Sequence, residues 1–248
     1  MVWTKENRCD YCRNELRYES DLRDAEWLAI VPLLPQKSRV GRPRRVDLRG
    51  ILNAIFYMAQ TGCQWRMLPK DFSPFQSVQY YFYKWRDDGT WREISDKMVE
   101  IERKMQGRNE KPSAGVIDSQ SVKTTESGGI SGFDAGKKIK GRKRHIMTDT
   151  TGLLIEIVVH SAGIQDRDGA VDVFKALKIS HPEITHFFAD GGYAGPKLEK
   201  ALAKIGNWTR EIIKRSDKAE GFEVLPRRWI VERTFAWARL QSKTGQGC

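Results

Sequence analysis

Two periodicities divide the chain. Up to about residue 106 the apolar positions recur at helical spacing, and beyond residue 113 short apolar runs alternate with turns and shorter helical segments. Trp27, Leu28, Ile30, Val31 and Leu34 predict a helix over 24–34 that ends at Pro35. Leu48, Ile51, Leu52, Ile55, Phe56 and Ala59 predict a strongly amphipathic helix closed at Thr61-Gly62, and "QWRML" at 64–68 suits one short helix before Pro69. Ser73 as N-cap, Pro74 at the first helical position and Gln76 at the third read as a capping box. They open a helix through "FQSVQYYFYKWRDDG", with Phe75, Val78, Phe82 and Trp85 on one side. Three successive helices with a short middle one resemble a helix-turn-helix arrangement, in which the third would be the recognition helix. Trp91, Ile94, Met98 and Ile101 mark a further helix over 90–105.

The polar stretch "QGRNEKPSAG" then reads as a linker, and the domain boundary falls there. This gives a polar arm at 1–19, a helical domain at 20–106, a linker at 107–113 and a second domain at 114–248. Strand-like runs cover 114–122, 144–149, 153–160, 185–189 and 209–213; helical segments fit 168–177, 196–204 and 227–240. The turn "TDTTG" joins two of the strands as a hairpin, and the later strands are separated by helices. That order predicts an α/β fold, a mixed sheet with helices on its faces.

Charge changes the picture more than length does. Among 248 residues, 43 Lys plus Arg stand against 32 Asp plus Glu, a net charge of +11, which favours polyanionic partners and nucleic acid above all. No apolar run approaches the roughly 20 residues that span a bilayer, and the first 20 residues are too polar for a secretory signal, so the chain is expected to be soluble and intracellular, with no membrane partner. Cys9 and Cys12 form one C-x-x-C, but Cys63 and Cys248 stand alone, so reduced thiols are expected rather than a zinc site.

Three acids carry the candidate chemistry. Asp118 interrupts the strand "GVIDSQSVKT", where a carboxylate is costly unless something cationic meets it. Asp190 ends the apolar run "ITHFFAD" and is followed by two glycines, the place in such sheets where ligand sites gather. Glu232 lies in "RRWIVERTFAWARL", where about 100° per residue puts Arg228, Glu232 and Arg239 within roughly 40° of one another on one helix face. Taken singly, each has an ordinary reading as a turn or surface residue. Three carboxylates from a first strand, a later strand end and a final helix are together what a two-metal phosphoryl-transfer site needs. Asp149, Asp166, Asp168 and Asp172 read as turn and helix-start residues instead.

At this point "DLRDAEW", "GCQWRMLPKDF", "VIDSQSVKT", "DAGKKIKGRKRHI", "QDRDGA", "ADGGYAG" and "VLPRRWIVERTFAW" resemble, in order, the transposases of the IS5 branch of the IS4-type insertion-sequence families. The resemblance implies an RNase H-like mixed sheet with flanking helices, preceded by a small all-α helix-turn-helix-like domain. It implies a DDE triad of Asp118, Asp190 and Glu232 holding two Mg2+ or Mn2+ ions. It adds Arg228, four residues before the glutamate, and Arg239, seven after it. Implied partners are double-stranded DNA, as element ends and target, and a second copy of the chain in a homodimer; the implied location is the bacterial cytoplasm. Position 225 is Leu where relatives often carry Tyr, and the ending "ARLQSKTGQGC" reads as a truncation. A second function therefore stays open, a catalytically inactive protein that occupies DNA ends as a repressor, and a third is a nuclease without strand transfer.

Basic segments complete the expectations. Lys137, Lys138, Lys140, Arg142, Lys143 and Arg144 are expected to meet the DNA backbone, as are Arg42, Arg44 and Arg45 in the link before the second helix. Lys84 and Arg86 join them from the outward side of the third helix.

Overall fold

The computed structural model describes residues 12–13, 15–36, 44–124, 129–213 and 229–235. They fall in two compact units, one within Met1–Lys97 and one within Met98–Trp237.

The first unit is helical. Helix α1 (Asp24–Ile30) continues as a 3-10 turn over Val31–Leu33, followed by α2 (Leu48–Thr61), a 3-10 turn at Trp65–Met67, α3 (Phe75–Asp87) and the start of α4 (Thr90–Met105). Asp47 opens α2 by accepting from the backbone N–H of Arg49 at 3.0 Å and of Gly50 at 3.1 Å, and Gly62 ends it at φ 68°, where a residue without Cβ bears no strain. The expected short middle helix is thus a single 3-10 turn. The expected capping box at Ser73 does not form as written, because Pro74 is extended at ψ 133° and takes the N-cap position itself, so α3 begins one residue later. Ile51, Leu52, Val78 and Trp85 are buried, and Trp85 meets Tyr81 and Trp91 edge-on or tilted at 5.3 and 5.4 Å.

The second unit is built on one mixed sheet. Its strands are β1 (Ala114–Lys123), β2 (Gly132–Asp134), β3 (Ile139–Asp149), β4 (Leu154–Ser161), β5 (His186–Ala189) and β6 (Thr209–Ile212). Helix α5 (Asp166–Ser180) connects β4 to β5, and α6 (Pro196–Ala203) connects β5 to β6. Strand β3 runs antiparallel to both β1 and β4, and β1, β5 and β6 run parallel, giving the order β4-β3-β1-β5-β6. This is the RNase H-like sheet, three antiparallel strands first and two helix-linked parallel strands after. Short β2 pairs with β3 at Lys140 and its neighbours. A last helix, α7, covers 229–235 among the described residues.

Strand pleating sends alternate residues to opposite faces, and the two faces are covered differently. Ile117, Met147, Phe187 and Ala189 pack with Phe174, Leu177, Leu198 and Leu202 of α5 and α6. Val116, Ile146 and Phe188 face the other way and pack with Val231 and Phe235 of α7. Two features differ from the sequence reading. Strand β3 begins at Ile139 rather than 144, which draws the basic segment into the sheet, and β2 was not expected. The division between units falls at Lys97/Met98, inside α4, because Val99 belongs to the sheet's core and Arg103 forms a buried ion pair with Asp149.

Candidate active site

Asp118 has the strand parity of Val116 and therefore lies on the α7 face. The parallel β1/β5 ladder pairs Val116 with Phe188, and continuing that register by two residues sets Asp118 level with Asp190 on the neighbouring strand. Neighbouring strands are about 4.8 Å apart. Asp190 keeps extended backbone, φ −82° and ψ 179°, so the alternation carries on from Phe188, and its carboxylate accepts from Gly192 N–H at 2.8 Å. Asp118, within β1, and Asp190, just past the end of β5, thus lie level on one face of adjacent parallel strands.

Glu232 is exposed on α7, the helix whose Val231 and Phe235 cover that same face. A fixed hairpin turn anchors this helix. Buried Asp149, paired with Arg103, accepts from the N–H groups of Thr151 at 2.8 Å and Leu153 at 2.9 Å. The turn's carbonyls then receive Arg233 Nη2 at Thr151 O, 2.7 Å, and Thr234 Oγ1 at Gly152 O, 2.8 Å. Gly152, at φ 98°, lies so close to the helix that an added Cβ would sit 2.9 Å from Arg233 and 3.0 Å from Ile230. Asp149 is therefore a turn residue, in line with its sequence reading, but one that indirectly sets the height of Glu232.

Two residues of this neighbourhood, Tyr193 of the D-G-x-Y stretch after Asp190 and Asp166, carry no site role in the sequence reading. Buried Tyr193 has its phenol pushed well above the usual tyrosine range, first by burial and then by the nearby carboxylates Asp118, Asp166 and Asp190. Asp166, in the first turn of α5, is more than a helix-start residue. Burial alone would raise its pKa, but hydrogen bonds from Lys143 and Ser119 win and hold it below the ordinary carboxylate value. A Cβ built on Gly192 would lie 3.0 Å from Asp190 Oδ1 and 3.7 Å from Asp166 Oδ2, so only glycine leaves the space between these carboxylates open. The sequence signal for Asp166 is its motif "QDRDGA".

The basic segment splits across the sheet. Lys143 is buried and donates to Asp166 Oδ1 at 2.8 Å and Ile164 O at 2.7 Å, with Asp134 Oδ2 at 3.3 Å. It is not presented to solvent, which corrects its expected part in DNA contact: a buried, doubly paired ammonium cannot reach a phosphate without abandoning two carboxylates. Asp134 is driven to about 2: burial opposes this, and hydrogen bonds from Ser121, Lys137 N–H and Lys143 prevail. Lys137, Lys138 and Lys140 are exposed, with Lys137 Nζ donating to Ser119 O at 3.2 Å, while Arg142 Nε donates to Ile130 O at 3.0 Å. Arg144 is half-buried on the Asp118 face.

In the helical unit Lys84 and Arg86 are exposed, lying over the rings of Tyr80 and Tyr83; Arg86 also pairs with Asp87 at 2.7 Å. Arg45 is exposed, and Arg44 donates to Pro35 O at 2.9 Å. Arg42, Arg228 and Arg239, together with the expected truncation of the last helix, lie outside the described residues. Cys12 and Cys63 are free thiols, and Cys9 and Cys248 lie outside the described residues.

Comparison with known proteins decides the family. The family described as "Transposase DDE domain" matches residues 109–240, more than half the chain, and "Putative transposase of IS4/5 family" matches residues 22–95. The chain belongs to the IS4/5-type DDE transposases. A curated relative of this transposase, the "Uncharacterized protein y4sN" of Sinorhizobium fredii (strain NBRC 101917 / NGR234), is 32% identical over 80 residues, 32% of this chain and 61% of the relative. The chain therefore spans less than two thirds of that relative's length. The solved structure "Mos1 transposase paired-end complex with left transposon end" aligns over 86% of this chain and 82% of that one at 11% identity, with a TM-score of 0.27, too distant a likeness to argue from.

DDE transposase domains generally use divalent metal. Carboxylate oxygens alone suit a hard cation, and the space over Gly192 between Asp166 and Asp190 is kept open. Among the described residues no group of three or more His, Cys, Asp or Glu is already arranged to hold an ion. Donor type thus fits a divalent ion, while among the described residues the carboxylates are not gathered into a preformed cluster. Among the described residues no helix is long and apolar enough to cross a membrane.

Proposed function

We propose that this transposase binds the ends of its insertion sequence, cuts them in a metal-dependent reaction and joins the freed 3' ends to target DNA, acting as a homodimer so that two ends are processed together. One observation carries the reading: Asp118, within β1, and Asp190, just past β5, lie level on neighbouring parallel strands, on the sheet face that also carries the helix of Glu232. Asp118, Asp190 and Glu232 would hold two Mg2+ or Mn2+ ions, which supply activation of a water or 3'-hydroxyl and charge neutralisation at the leaving oxygen. Arg228 and Arg239, one helical face with Glu232 by spacing, would meet the substrate's phosphates. The chain's other part is to orient the acids: Gly192 N–H holds Asp190, and Lys143 and Ser119 hold Asp166 beside it.

The helical unit, with Lys84, Arg86, Arg44, Arg45 and Arg42, is proposed to grip the element ends, and Lys137, Lys138, Lys140, Arg142 and Arg144 to run along the backbone nearer the cut. Asp118→Asn removes a ligand and no phosphate contact. Purified Asp118→Asn is expected to lose Mg2+-dependent nicking and joining of labelled element-end DNA by at least about a hundredfold while its DNA affinity stays within about threefold of the parent. Loss of binding together with cleavage would count against the assignment, and a parent chain that binds ends without cutting them would favour the repressor instead.

A further inference from the structure

Strand pairing gives one cation of the basic segment a specific place beside Asp118. Asp118 is opposite Ile146, and Gln120 is opposite Arg144, so Arg144 is the diagonal neighbour of Asp118, about 7–8 Å away. Its chain neighbours Lys143 and His145 are buried toward α5. Arg144 points the other way, between Gln120 on β1 and Val159 on β4, and makes no hydrogen bond or ion pair among the described residues. A half-buried guanidinium left without an acceptor is unusual in a protein so rich in carboxylates, because Arg ordinarily forks onto one. Gln120 Oε1, directly across the ladder, is buried and likewise has no partner. Val159 is 46% exposed, so the row Gln120–Arg144–Val159 is open on this face.

We propose that Arg144 binds the DNA phosphate next to the one that reacts near Asp118, with Gln120 as the positioning residue that accepts one guanidinium N–H and fixes the fork. The inference rests on the cleavage reading above for what happens at Asp118, but the phosphate subsite itself needs only DNA binding. Its distance from Asp118 is comparable with the separation of consecutive phosphates along one strand. Phosphate is a better occupant than a protein carboxylate because the same face of β3 brings exposed Lys140 as well, extending the positive lane away from Asp118. Arg142, between them, holds Ile130 O and serves the adjoining loop. The sequence segment thus supplies one cation for building the unit, Lys143, and at the next position one for the substrate.

The test is phosphate-by-phosphate interference. Duplexes carrying the terminal repeat that flanks this reading frame, each with one neutral methylphosphonate, are titrated with full-length protein in Ca2+, and the same set is then assayed for cutting in Mg2+. The parent is expected to lose about tenfold in affinity at one of the outermost element phosphates. Arg144→Ala should lose about tenfold on unmodified DNA, lower the salt slope by about 1, and be indifferent to the neutral linkage at that one position only. Arg144→Lys should restore the salt slope but not the full affinity, since a point charge replaces the fork, and Gln120→Ala should show the Arg144→Ala pattern in weaker form. An interference map unchanged in Arg144→Ala, or changed only at phosphates far from the element terminus, overturns the proposal. A parent that shows the Arg144-dependent interference yet cuts nothing in Mg2+ removes the cleavage reading and leaves the subsite standing.

Discussion

The two faces of the central sheet put the same residue types to opposite uses. On the α5 side, Lys143 is 4% exposed and engages Asp134 and Asp166, with Ser121 donating to Asp134 at 2.5 Å. One residue on, Arg144 turns to the α7 side, where Asp118 lies and where much of β4 is open to solvent. A charge on the first face has been taken out of water and must be matched; a charge on the second keeps its hydration and is available to a partner. The lesson is that a basic run does not have one meaning. Pleating assigns it residue by residue, and burial decides which cations are structural.

The largest expected break in this comparison is at Lys143. Lys143→Met leaves Asp134 and Asp166 without their shared cation inside the unit and is expected to cost about 3–5 kcal/mol. Arg144→Ala should stay within about 0.5 kcal/mol, having no partner to strand among the described residues. Urea unfolding of the two variants beside the parent measures both, and equal losses would erase the distinction between the faces.

Next in size is the pH dependence of His145, fully buried on the α5 side. Burial first, and then His160 and Lys143, lower its pKa from 6.5 to about 4, against an opposing pull from Asp166. Between those values the unfolded chain takes up a proton that the folded chain refuses. Stability is therefore complete above about pH 6.5 and falls as pH drops toward 4, by on the order of 3 kcal/mol. Asp134 acts in a separate window: its stabilisation is present above its ordinary value of 3.8 and is lost as pH falls toward about 2. Urea midpoints for parent and His145→Asn at pH 7 and 4.5 are expected to show the slope in the parent and a flatter one in the variant. Parallel slopes would place the titration elsewhere.

Much of this was legible beforehand, and the misses have physical causes. A lone acid in a strand and an Asp before two glycines marked Asp118 and Asp190, because both are costly or special locally, and the mixed α/β sheet, though not its strand order, followed from the order of strands and helices. Strand β3 was cut short because Lys140 to Arg144 reads as a charge run. Its cations pair with a strand on each side, and which parity is buried depends on where α5 packs, information that resides in Gly169 and the two histidines rather than in the run itself. Asp166 was set aside for a related reason: its neighbours Lys143, Ser119 and Tyr193 come from three other elements. Ser73 and Pro74 show the local limit, where one ψ angle moved the cap by a residue.

The smallest effect, and the most diagnostic of why Lys143 faces inward, is at Gly169 of α5. A Cβ there would meet His145 Cε1 at 2.4 Å and Nδ1 at 2.9 Å, and His160 Nε2 at 2.9 Å, so the bare helix backbone is what lets the sheet's histidines seat against α5. Gly169→Ala gains roughly 1 kcal/mol of helix propensity but meets rigid rings, an overpacking cost of about 1–3 kcal/mol, so a net loss of about 1 kcal/mol is expected. On the open face, Val159→Thr, which exchanges one methyl for a hydroxyl at a residue 46% exposed, should move stability by less than about 0.5 kcal/mol. Thermal unfolding of the pair, read beside DNA affinity, checks this. A stabilised Gly169→Ala would mean that α5 stands farther from the sheet than these contacts require, and Lys143 would then lose its reason to be buried while Arg144 is not.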